Sequence, residues 1–151
     1  MPLRFEAPTL ADTEALATRL AAHLRAGDVV FLRGDLAAGK TAFAAGALRA
    51  LGHRGAVKSP TFTLVEPYEL AAFTLYHFDL YRLQDAAELE LLGVRDYFAG
   101  EAVCLVEWPE RGTGVLPPPD IDIAIVSNGD RRTLSMTAVS PRGEAVLQLL
   151  Q

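Results

Sequence analysis

The chain has 151 residues, half of them hydrophobic, which is enough for one compact core and too few for two, so residues 1–151 are expected to form a single domain. A formal charge of -5 excludes the global positive field by which an autonomous nucleic-acid binder gathers phosphates, so any role in nucleic-acid metabolism is expected to run through a protein partner. The single cysteine, Cys104, excludes an internal disulfide framework, and with no apolar amino-terminal segment and no run of about 18 apolar residues, neither a secretory signal nor a membrane span is predicted; the cytoplasm is the expected compartment.

After a short opening segment, Thr9 or Asp12 can cap a helix that carries Leu10, Leu16, Leu20 and Leu24 at roughly helical spacing and ends near Ala26-Gly27. Asp28 to Arg33 reads as a short buried strand, Gly34 to Gly39 as a turn rich in glycine and alanine, and Lys40 to Leu51 as a helix stopped by Gly52. Ala56 to Thr61 is polar and loop-like. Two β-like runs follow, Phe62 to Leu70 and Phe73 to Asp79, read as a hairpin across Ala71-Ala72. Short helices are predicted over Asp85 to Leu92 and Val94 to Phe98, and an apolar strand over Ala102 to Glu107. Pro109 and the run Pro117 to Pro119 break the connection to a last pair of strands, Ile121 to Val126 and Thr133 to Val139, joined by a turn around Asn128-Gly129-Asp130. A helix from about Pro141 closes the chain. Strands and helices in this order predict an α/β fold, a P-loop NTPase-like three-layer sandwich with a mixed central sheet flanked by helices.

The pattern G-x-x-x-x-G-K-[ST] is matched in full by Gly34-Asp35-Leu36-Ala37-Ala38-Gly39-Lys40-Thr41, between a predicted strand and a predicted helix as the motif requires. Such a loop turns its backbone N–H groups around phosphates at a helix N-terminus. Gly34 and Gly39 permit the tight curvature and the close approach of backbone to ligand. Lys40 can reach the β and γ phosphates as a point charge, and the Thr41 hydroxyl can complete the shell of Mg²⁺. ATP and Mg²⁺ are the expected ligands.

A P-loop also needs a metal-side carboxylate at the end of a neighbouring apolar strand, which Glu107, closing Val103 to Val106, supplies. Asp79, at the end of Phe73 to Phe78, is a second carboxylate for the same sheet edge; a cap or a partner for Arg82 is the plainer reading. Thr61 reads either as a switch threonine sensing the γ-phosphate or as a turn cap. His77, between aromatics in mid-strand, reads as packed, and Trp108 either as a core plug or as a nucleotide contact. The sequence lacks the N-K-x-D segment by which a GTPase reads guanine. A small-molecule P-loop kinase remains the alternative, opposed by the absence of an arginine-rich lid between Leu80 and Gly100.

Taken together, the loop motif, Val57-Lys58-Ser59-Pro60-Thr61-Phe62-Thr63-Leu64-Val65-Glu66-Pro67-Tyr68, Tyr76-His77-Phe78-Asp79-Leu80-Tyr81-Arg82 and Leu105-Val106-Glu107-Trp108-Pro109-Glu110 resemble the bacterial TsaE (YjeE) family of tRNA threonylcarbamoyladenosine biosynthesis ATPases. The resemblance implies an ATP hydrolase, weak alone, that acts with TsaB and TsaD in transferring a threonylcarbamoyl group to adenosine 37 of ANN-decoding tRNAs, touching tRNA only through the complex. It also implies that Lys40 and Thr41 hold phosphate and Mg²⁺, that Glu107 is the metal-side glutamate, and that Asp79 and Thr61 belong to the catalytic and switch region. Trp108 matches the family's tryptophan, and a nucleotide-approaching arginine falls on Arg132 or Arg131. One departure is Ala37, where the family's loop has glycine. Its cost is small at negative φ and about 1 kcal/mol at positive φ, at the expense of nucleotide affinity.

Overall fold

The computed structural model describes residues 2–58 and 60–151; Ser59, at the head of the predicted switch loop, lies outside them. Seven strands form one mixed sheet in the order β1-β7-β6-β2-β5-β4-β3. At its centre, β2 (Val29–Arg33) runs parallel to β5 (Val103–Glu107) on one side and to β6 (Ile121–Asn128) on the other, and β5 runs parallel to β4 (Thr74–Asp79). These central strands are apolar on both faces because both faces are covered. Val30 and Leu32 pack with Phe43, Leu48 and Leu147, while Val29 and Phe31 pack on the other side with Phe78, Leu89, Val94 and Val106. Helices α1 (Leu10–Ala21), α2 (Lys40–Ala50) and α5 (Pro141–Leu150) form one outer layer, and the short α3 (Ala87–Leu92) and α4 (Val94–Ala99) form the other. This is the predicted three-layer α/β sandwich, and among the described residues no helix is long and apolar enough to cross a membrane.

Several boundaries differ from the sequence expectation, each for a local reason. The opening segment is itself a strand, β1 (Leu3–Ala7), whose alternating burial pairs Leu3 with Met136 and Phe5 with Leu134 of β7 (Arg131–Ala138). Helix α1 starts at Thr9, whose hydroxyl and the Asp12 carboxylate close a capping box, and stops at Ala21, five residues early. Leu10, expected on its apolar face, is 61% exposed because the first turn projects beyond the core. Asp28 falls outside β2, since its carboxylate is taken by the Arg25 N–H (2.9 Å) and Arg142 Nε (3.0 Å). The first strand of the predicted hairpin, β3, begins at Val65 and not at Phe62. Thr61 to Thr63 make a turn in which the Leu64 N–H donates to Pro60 O (2.8 Å), and Leu64 takes φ 67°. The last hairpin is longer than expected, with only Gly129 and Asp130 in its turn, so Arg131 and Arg132, expected before the strand, belong to it.

Candidate active site

The parallel strands β2, β5 and β4 end at one level, with Leu32 and Asp79 both in register with Glu107, and the loop after β2 curls over that end into α2. Open α/β sheets place their ligands at this edge. Gly34 is required for a reason other than access to a ligand: a Cβ there would sit 2.6 Å from Ile125 O of the neighbouring β6. Gly39 takes φ 108°, which an L-residue adopts only under strain, and caps α2 without a side-chain bond. The first-turn amides of α2 are therefore left to an anion.

Lys40 is 4% exposed and donates to Gly34 O and to Asp35 O (2.8 Å). Its Nζ lies 4.3 Å from the centre of the Trp108 ring, a cation–π contact that fixes the ammonium on the cleft floor. Burial lowers its pKa, an effect opposed by Glu107, Asp79, Glu110 and Asp35. Trp108 takes φ 57°, turning the chain sharply after β5, and its ring meets Tyr81 at 5.0 Å; half-buried, it both lines the cleft and packs against the second core cluster.

Beside the lysine stand two acid–hydroxyl pairs. The Thr41 hydroxyl lies 3.2 Å from each oxygen of Glu107, and the Thr61 hydroxyl donates to Asp79 Oδ2 (3.2 Å) while the Tyr81 N–H donates to Asp79 Oδ1 (3.0 Å). Arg82, considered as a partner for Asp79, has its guanidinium 4.4 Å above the Phe62 ring. A cleft of about 550 Å³ brings together Leu36, Ala37, Gly39, Lys40, Thr41, Thr61, Asp79, Glu107, Trp108 and Arg132, all predicted as site residues. Asp35 contributes its carbonyl to Lys40, and Ala38 is buried beneath the loop. Two carboxylates and two hydroxyls form a hard oxygen set. Such a set suits Mg²⁺, an ion that takes one or two carboxylates and fills its shell with water and phosphate.

The sequence reading left out one contact. His77 is buried as expected, yet its Nε2 lies 2.6 Å from Glu107 Oε2. The available signal was the two-residue strand period, which puts His77 on the same face as Asp79.

The family model described as "Threonylcarbamoyl adenosine biosynthesis protein TsaE" matches residues 7–134, a span that contains every candidate site residue from Gly34 to Arg132. The chain belongs to the TsaE family. It is 47% identical over 125 residues to the tRNA threonylcarbamoyladenosine biosynthesis protein TsaE of Haemophilus influenzae, covering 83% of this chain and 79% of that one. It is 43% identical over 140 residues to TsaE of Bacillus subtilis, covering 92% and 87%. The crystal structure of Bacillus subtilis YdiB superposes with a TM-score of 0.86 at 36% identity, over 99% of this chain and 94% of that one.

Within this TsaE-family site, Ala37 adopts φ 63°, so the costlier of its two alternatives holds and the strain is carried by the folded loop itself. Arg132 holds the loop in place, its Nε donating to Ala38 O (2.8 Å) and an Nη to Ala37 O (3.4 Å). Its other Nη donates to Gly129 O (3.0 Å) and Arg131 O (3.1 Å). The guanidinium therefore braces the phosphate loop.

Proposed function

We propose that the chain is the ATPase of tRNA threonylcarbamoyladenosine biosynthesis, binding Mg-ATP and hydrolysing it slowly until TsaB and TsaD engage it. The observation that carries this reading is the meeting of Thr41 and Glu107 at 3.2 Å beside Lys40, which joins the phosphate loop to a strand-end carboxylate. In this reading the α2 amides and Lys40 would bind the phosphates, and Thr41 and Glu107 would hold Mg²⁺, which would supply neutralisation of the phosphate charge. Asp79, lining the same cleft, orients the attacking water, and Thr61 reports the γ-phosphate to the loop it stands on.

The slowness follows from the arginines. Transition-state charge on the phosphoryl group needs a further cation, worth about 10³ to 10⁵ in rate when an arginine finger supplies it. Arg132 is occupied with four loop and hairpin carbonyls, and Arg82 stacks on Phe62. Docking that releases one of them, or that brings a partner's cation, completes the site. The test is steady-state ATP hydrolysis by the chain alone, with each partner singly and with TsaB and TsaD together, alongside Thr61→Ala and Asp79→Ala. Stimulation is expected only with the pair, and both substitutions should abolish it. An isolated chain as fast as the full mixture, or a phosphorylated small-molecule acceptor at about one turnover per second or more, would replace this reading with an independent ATPase or a kinase.

A further inference from the structure

His77 carries a polar ring into a place where most side chains are apolar. It stands on β4 two residues before Asp79, and the ring has no exposed surface. Its Nε2 is 2.6 Å from Glu107 Oε2, while its Nδ1 has no hydrogen-bond partner among the described residues. One proton lies between the two atoms, and if Glu107 held it the neutral ring's own proton would fall on Nδ1. With Nδ1 carrying a lone pair, the orphaned atom is an acceptor; a proton there would leave a buried donor unpaired, which costs more. The surroundings therefore select one tautomer, and that tautomer points its only N–H at Glu107.

Glu107 is itself 2% exposed, and its carboxylate meets the Thr41 hydroxyl and this ring. Thr41 is also the loop's candidate ligand for Mg²⁺. Its hydroxyl can turn a lone pair toward the ion and still donate its single O–H to the carboxylate, but with both oxygens at 3.2 Å that one proton does not choose between them. The ring does, because it is held in mid-strand beside β5 and does not take part in phosphate binding.

We infer that His77 is a positioning residue for Glu107: it binds Oε2 from within the sheet and holds the carboxylate facing Thr41, whose hydroxyl is 3.2 Å from each oxygen, on the metal side of the cleft. This rests on the reading of Glu107 as the metal-side carboxylate. The usual arrangement, in which a carboxylate orients a metal-bound histidine, is reversed here, with the histidine orienting the carboxylate. Loss of such an outer partner typically costs about 10- to 100-fold in metal affinity.

The experiment titrates Mg²⁺ into the full chain with ADP bound and reads the Mg²⁺ concentration at half-maximal tightening of ADP, with metal-free ADP affinity measured separately. His77→Gln puts an amide N–H near the position of Nε2, whereas His77→Asn keeps an amide but withdraws it toward Nδ1. The Mg²⁺ midpoint should rise about 10-fold or more in His77→Asn and stay within about 3-fold of the parent in His77→Gln, with metal-free ADP affinity unchanged in both. A merely structural histidine would lower thermal stability in both variants and leave both midpoints alone, and that result overturns the inference. Glu107→Gln separates the two layers. If it keeps the parental midpoint, the metal-side reading itself fails; if it loses the midpoint while both His77 variants retain it, only the role of His77 fails. Should His77→Asn not fold, ¹⁵N imidazole NMR of the parent chain still decides, because a protonated Nδ1 and bare Nε2 on His77 would exclude the donor this role requires.

Discussion

Ala37→Gly should stabilise the ligand-free protein, although it replaces an alanine in a loop that binds phosphate. Ala37 sits at φ 63° with its methyl exposed, so the substitution forfeits almost no burial. Placing an L-residue in the left-handed region costs about 1–2 kcal/mol, and glycine removes that cost. Against it, glycine adds about 0.4–1 kcal/mol of chain entropy to the unfolded state. The net gain is between about 0 and 1.6 kcal/mol, centred on about 0.8, which for a domain of this size raises Tm by up to about 6 °C. Arg132 makes the comparison sharper, since its bonds to Ala37 O and Ala38 O hold the strained geometry whether or not the side chain prefers it. In Arg132→Ala the strained loop can relax, so the benefit of Ala37→Gly should shrink in the double variant. Thermal unfolding followed by circular dichroism without nucleotide measures all four corners of the cycle. A control has the opposite sign: Gly34→Ala places a Cβ 2.6 Å from Ile125 O and should lower Tm. If Ala37→Gly lowers Tm, or if Gly34→Ala leaves it unchanged, the account of the loop from backbone angles and close contacts is wrong.

Two further outcomes test other parts of the molecule. Lys40→Ala should weaken ATP binding about 100-fold in a chain that still unfolds cooperatively, since each bond to a charged group is worth about 1.5–3 kcal/mol, and a calorimetric affinity near the parent's would remove the phosphate-loop assignment. Cys104 is fully buried, its Sγ lies 3.5 Å from Tyr97 O, and burial pushes the thiol up to about 12. A raised thiol pKa keeps the neutral form through neutral and mildly alkaline pH, so the folded chain should resist a thiol-disulfide reagent at pH 8 and react at once in denaturant; rapid labelling of the native protein would place Cys104 in a different environment.

The parts of this structure that could be read from sequence are those where one local rule acts without a competitor. The apolar runs of β2 and β5, the phosphate loop between β2 and α2, and the carboxylates closing β4 and β5 follow from pattern and spacing. Their convergence also follows, because parallel strands ending in register bring Asp79 and Glu107 to one level. The failures lie where a tertiary partner decides. β1 has too few residues to declare itself, and it becomes a strand because β7 offers an unpaired edge. The turn over Thr61 to Thr63 takes residues of high β propensity out of the sheet, since the Leu64 N–H is bound to Pro60 O and the Asp79 N–H reaches Leu64 O (3.0 Å).

The site repeats this division at the level of single atoms. Residue type and position singled out Lys40, Thr41, Asp79 and Glu107 as candidates, yet the conformation of each depends on neighbours that no motif specifies. Trp108, at φ 57°, lays its ring beneath the Lys40 ammonium. His77 grips the oxygen of Glu107 from within the sheet. Arg132, which the resemblance placed near the nucleotide, reaches the site by bracing the loop carbonyls that curve around it. A phosphate loop held in this way is ready for nucleotide before nucleotide arrives. In the function proposed above, a partner completes the site with a further cation, and a slow isolated ATPase is what that division of labour predicts.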